Sequence, residues 1–185
     1  MPTNARQRLI DAAKKLFYAE GVRAVGLERL LTDSGVGRAS FYRHFASKDD
    51  LVVTMLREYE QNYRVWLAQQ TEVWGGTPLA VFDALIEYAE ISDFRGCAFI
   101  NAIAESAEPD KQIQQMTNQH KEEVANYLRS LLVTSGYPDD ENLARQLLLL
   151  IDGASVAELY ERTSRPARQA KAMAEALLDG ARAQH

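Results

Sequence analysis

Between Gly35 and Leu51 the chain places Arg38, Ser40, Tyr42, Arg43, His44 and Lys48 within eleven residues. Their shared chemistry is hydrogen-bond donation. A guanidinium forks onto the O6/N7 edge of guanine or onto phosphate oxygens, a hydroxyl reaches either, and Ala39 leaves room for a base to come close. This is recognition chemistry, and catalysis would need other groups. The chain has three histidines, His44, His120 and His185, and one cysteine, Cys97. None is spaced with a carboxylate or a second thiol as a metal site, and neither a phosphate-cradling glycine loop nor a nucleophile elbow is present. No enzyme activity, metal or cofactor is expected.

Such donors need a rigid element to present them. Helix-period patterns run through the whole chain without strand alternation, so an all-α fold is expected. Thr3 or Asn4 can cap a first helix whose Leu9, Ala13, Leu16 and Phe17 share one face, with Gly21 as a left-handed C-terminal cap. A second helix is expected over Leu27–Ser34. Gly35 turns the chain, Val36 plugs the turn, and a third helix spans Arg38–His44. With Phe41 and Phe45 inward at 100° per residue, Ala39, Ser40 and Arg43 face away and Tyr42 lies on a flank. Ser47 reads as the cap of a long fourth helix reaching about Gln70, with Asp49 and Asp50 in its first turn. Five more helices follow: to Ile91 after Pro78, from 93–96 to Glu105, from Pro109 to Ser135, then 139–162 and 166–183.

Short helix, glycine turn and short helix form the outline of a helix-turn-helix. The string Gly35-Val36-Gly37-Arg38-Ala39-Ser40-Phe41-Tyr42-Arg43-His44-Phe45-Ala46-Ser47-Lys48-Asp49-Asp50-Leu51 closely resembles the DNA-binding segment of TetR-family regulators, and the preceding helix from Arg8 to Gly21 matches the same family. The likeness is strong over residues 5–55 and diffuse beyond. It implies base or phosphate contact by Arg38, phosphate contact by Tyr42 and His44, and a further contact from Lys48 at the start of the next helix. Each has a plainer use: Tyr42 as core cover, His44 as a packing residue, Arg43 as a solvated charge. Gly26 and Gly37 depart from the family by standing where a hydroxyl often caps the helix.

The resemblance divides the chain into a helix-turn-helix domain, 1–47, of three helices and a helical domain, 48–185, of six that binds an effector and pairs two copies. Charge agrees with a DNA-binding head. Residues 1–50 hold nine Lys/Arg against six Asp/Glu, whereas residues 51–185 hold twelve against twenty, so a basic head sits on an acidic body. The expected partners are a double-stranded DNA operator, a second copy of the chain and a small-molecule effector, with no membrane. The single cysteine fits a reducing compartment, and a cytoplasmic location is expected. A homodimeric repressor released from a palindromic operator by its effector is the family expectation.

For pairing, the unbroken run Leu147–Ile151 and the stripe of the last helix nominate Leu147, Ile151, Ala154, Met173, Leu177 and Leu178. An internal core is the plainer alternative. For the effector, Tyr59, Tyr63, Trp66, Phe82, Tyr88, Cys97, Asn101, Met116, His120 and Tyr127 supply aromatic surface with a few polar groups, although aromatics at helical spacing also build ordinary cores. Cys97, at a helix start beside Arg95, is additionally a candidate sensor of an electrophile or oxidant.

Overall fold

The structure, a computed structural model, describes residues 4–91, 95–105, 111–138 and 141–183. The expectations that rest on Thr3, Asp93, Phe94, Pro109 and His185 lie outside these. The described residues form nine helices and no strand: α1 (Ala5–Glu20), α2 (Leu27–Ser34), α3 (Arg38–His44), α4 (Lys48–Val73), α5 (Pro78–Ile91), α6 (Ala98–Glu105), α7 (Lys111–Thr134), α8 (Glu141–Glu161) and α9 (Arg165–Ala183). Two compact units are distinguishable, one made of Met1–Gln61 with Ala98–Thr117, the other of Asn62–Cys97 with Asn118–His185.

In the first unit α1 starts where the Asn4 side chain accepts from the Arg6 N–H at 3.2 Å. Leu9, Ile10, Ala13, Leu16 and Phe17 bury one face of it. At Gly21 the backbone takes φ 92°, ψ 152°, an extended positive-φ conformation open essentially to glycine alone; the left-handed cap read from the sequence is not what forms. Gly35 does adopt the left-handed conformation, at φ 61°. Its N–H and that of Val36 return to the end of α2, the latter to Leu31 at 3.2 Å, which closes a Schellman-type turn. Val36 is buried in that turn, as are Phe41 and Phe45 beyond it, with the two rings 5.8 Å apart. Ser47 caps α4 as expected. Its hydroxyl accepts from the Asp50 N–H at 3.1 Å while the Asp50 carboxylate accepts from Ala46 at 3.0 Å, a reciprocal arrangement akin to a capping box.

The second unit is organised around α9, which packs on α8 and α5. Ala167, Ala170 and Ala174 are buried on its inner face, and Lys171 pairs with Asp83 of α5 at 2.7 and 2.9 Å. The core holds Phe82, Leu128, Leu132, Leu147, Ile151 and Leu178, among others. Two boundaries differ from expectation: the end of α4, which runs on to Val73 rather than to about Gln70, and the start of α6. Helix α6 begins at Ala98, because Gly96 sits at φ 77°, a conformation that a right-handed helix cannot include. Cys97 therefore precedes the first turn of α6.

Candidate nucleic-acid interface

Helix α3 is anchored by Phe41 within it and Phe45 just beyond it, and the phase of those two rings decides what the helix shows. Arg38, Ala39, Arg43 and His44 are exposed, Tyr42 is 53% exposed, and Ser40 is half-buried. Apart from Lys48, the residues nominated from periodicity and from resemblance thus share one seven-residue helix, Arg38–His44. Arg43 occupies its last turn beside His44, where the Arg43 cation complements the helix dipole. Tyr42 meets Phe41 edge to face with ring centroids 5.2 Å apart, so an exposed residue still touches the ring that anchors the helix.

Two charged neighbours modify this surface. Arg38 forms an ion pair with Glu28 on α2, both side chains being exposed. Lys48, the first residue of α4, donates from Nζ to the carbonyls of Val22 at 2.7 Å and Val25 at 2.9 Å, and lies 5.9 Å from the Phe17 ring centroid. Two of its three donors are therefore committed to the turn between α1 and α2. Sequence reasoning gave Lys48 only a DNA contact; no local signal reveals a bond to carbonyls 23 and 26 residues away. Neither Gly26 nor Gly37 has a side-chain cap bond, and a Cβ at either would meet nothing within 4 Å.

The residues nominated for pairing separate into two groups. Leu147, Ile151 and Leu178 are 0, 5 and 2% exposed. They belong to the core of the chain itself and present no surface to a second copy. Ala154 and Leu177 are half-buried against that core, and Met173 is exposed. The apolar surface that α8 leaves open is rotated from the expected one. It runs through Leu149, Gly153, Val156 and Tyr160, with Leu149 70% and Tyr160 73% exposed, at spacings that put all four on one side of a helix.

Of the effector candidates, Phe82 is a buried core residue and Tyr127 packs partly buried against the same core. Tyr59, Asn101 and Met116 belong to the first unit, where the Tyr59 ring meets Phe99 at 6.0 Å. In the second unit Tyr63, Trp66, Tyr88 and His120 do come together. Tyr63 lies 5.6 Å from Trp66 and 5.3 Å from His120, and Trp66 lies 4.9 Å from Tyr88. Beside them Cys97 Sγ is 4.0 Å from His120 Nε2 and 3.7 Å from Lys121 Nζ, and Lys121 pairs with Asp152 at 2.5 Å. Polar chemistry from Lys121 and Asp152 is what the sequence reading missed here. Among the described residues no group of His, Cys, Asp and Glu is arranged to hold a metal ion.

Comparison with known proteins bears on both ends of the chain. The family described as bacterial regulatory proteins, tetR family, matches residues 9–55. The crystal structure of a TetR-family transcriptional regulator from Streptomyces coelicolor is similar at 30% identity and a TM-score of 0.86, covering 98% of this chain and 91% of that one. The HTH-type transcriptional regulator YjdC of Escherichia coli K12 is 26% identical over 181 residues, 96% of this chain and 95% of its own. The reduced form of E. coli NemR shares the fold, with a TM-score of 0.78 at 22% identity over 94% of this chain and 98% of that one.

Proposed function

This chain belongs to the TetR family and is a DNA-binding transcriptional regulator rather than an enzyme; from that premise we propose that it is a repressor, binding a palindromic operator as a homodimer and released by a small-molecule effector. In this reading residues 1–47 read DNA, and residues 48–185 bind the effector and pair the subunits. The observation that carries it is the phase of α3: Phe41 is fixed inside while Arg38, Ala39, Tyr42, Arg43 and His44 are left accessible. A helix so anchored enters the major groove with Ala39, Ser40 and Arg43 toward base edges, and Arg38, Tyr42 and His44 toward the backbone or its margin.

Pairing through Leu149, Val156 and Tyr160 of α8, together with Met173 of α9 and the half-buried Ala154 and Leu177, would build a four-helix bundle across a two-fold axis. It would also set two α3 helices to read two half-sites. The aromatic group Tyr63, Trp66, Tyr88 and His120 supports an effector of largely apolar, planar character. Titration of the duplex upstream of its own gene by fluorescence anisotropy tests the reading. Arg43→Ala should weaken specific binding by about 1–3 kcal/mol and relax preference at one base pair. Equal affinity and unchanged preference would remove α3 as the reading element.

A second reading is favoured by the ammonium of Lys121 against the Cys97 sulfur, since reactive thiols occupy electropositive, partly exposed surroundings. Here an electrophile or oxidant would release DNA through Cys97. A Cys97→Ser protein that still responds to oxidant like the parent disposes of it.

A further inference from the structure

The turn between α1 and α2 is held from two sides by opposite charges. On one side the Glu105 carboxylate, at the last residue of α6, accepts from the Arg23 N–H at 2.9 Å. It also lies so close to Gly21 that a Cβ there would come within 2.8 Å of Glu105 Oε1. On the other side the Lys48 ammonium takes the carbonyls of Val22 and Val25. An anion thus sits on the N–H side of the turn and a cation on its C=O side, and each bond is charge-assisted. We propose that Glu105 and Lys48 are positioning residues that brace this turn, and through it the α2–α3 pair, in the orientation that reads DNA. The inference rests on α3 being the reading helix, and it gives Lys48 a role other than phosphate contact.

The turn is where a brace would matter. Gly21 allows the sharp exit from α1. Val25, 1% exposed, carries the chain back into the core immediately before α2. Three backbone groups of this segment, the Arg23 N–H and the Val22 and Val25 carbonyls, find these side chains as partners. Without them the groups turn to water and the segment gains other conformations. Because the Gly35 and Val36 N–H groups bond back to the end of α2 and so tie it to α3, a loosened turn would change the angle of both helices against α1.

The test uses the full chain, with the upstream duplex and an unrelated duplex of equal length as probes. Glu105→Ala should weaken binding to the upstream duplex about tenfold and leave the slope of log K against log salt unchanged. Glu105→Gln, whose amide oxygen still accepts from Arg23, should restore most of the affinity. Lys48→Met should likewise weaken binding without changing the slope; a slope reduced by about 0.9 would make Lys48 a phosphate contact instead and overturn its part in the brace. Hydrogen exchange of the Arg23 amide in the free protein is the readout independent of DNA. Exchange accelerated at least tenfold in Glu105→Ala but near parental in Glu105→Gln is expected, and unchanged exchange overturns the brace. A parent protein that binds both duplexes alike refutes the reading of DNA by α3, while the exchange result still decides the brace.

Discussion

Arg38 brings its own counter-ion, Glu28, to the exposed side of α3, and in the proposed docking that pairing shapes what DNA would have to displace. An exposed pair such as Arg38–Glu28 adds little to stability, yet a carboxylate beside α3 repels phosphate and competes for the guanidinium. Glu28→Gln should therefore tighten DNA binding about two- to tenfold at low salt, with a gain that shrinks as salt rises. Titrations at two ionic strengths check this, and an unchanged affinity would mean that Arg38 does not meet DNA. Glu158 is a different kind of residue. It is 6% exposed, and one carboxylate oxygen is buried without a hydrogen-bond partner. Burial raises its pKa from 4.5 to about 7, against the opposing effect of the Ala167 N–H that it accepts from. A carboxyl more basic in the fold than in the unfolded chain contributes stability below about pH 4.5 and loses that contribution as pH rises through about 7. Glu158→Gln should accordingly be more stable than the parent at pH 8, by on the order of 1–2 kcal/mol, with the difference fading toward pH 5. Denaturant melts at both pH values measure it; an equal increment at the two would point to packing rather than charge. At this scale the sequence was readable where side-chain phase follows from neighbours, as with Phe41 and Arg43. It was silent where the partner lies far along the chain, as with Lys48 and Glu105.

Helices α2 and α3 are the most legible elements because glycines mark both of their beginnings and polar or aromatic residues their ends. The same glycines leave a weakness. Gly37 has φ −71° and ψ 152°, a conformation that any L-residue adopts, in open space. Gly37→Ser should add a cap to α3 and raise unfolding stability by about 0.3–1 kcal/mol. A lowered urea midpoint would contradict that account. Legibility failed in α8 for a definite reason. Leu147-Leu148-Leu149-Leu150-Ile151 is apolar at every position, so it has no helical phase of its own. Packing against α9 supplies the phase, turning Leu147 and Ile151 inward and Leu149 outward. The start of α6 is not legible in the sequence because a positive φ at Gly96 is set by tertiary context; a Cβ there would come within 3.0 Å of Leu159.

For the molecule as a whole, a basic beginning and an acidic remainder are plain in the composition, and the resemblance in residues 5–55 carried the family. The compact units do not follow that division, because Ala98–Thr117 cluster with the N-terminal residues; contacts so distant in sequence have no local signature. Subunit pairing is a whole-molecule property with a direct test. Val156→Glu places a charge on the exposed side of α8 and should give folded monomers by analytical ultracentrifugation. Leu147→Ala, in the core, should lower stability by about 2–5 kcal/mol. A Val156→Glu protein that remains dimeric would place the interface elsewhere.

Leu149 and Tyr160 stand open on a single chain, and the proposed pairing through them would have a consequence for gene dosage. If only the paired form grips its operator, occupancy at low abundance follows the square of the subunit concentration. Halving synthesis of a mostly monomeric pool then removes about three-quarters of the active species. The cell would experience this protein less as a dimmer than as a threshold: nearly absent in effect until enough copies have been made to find each other.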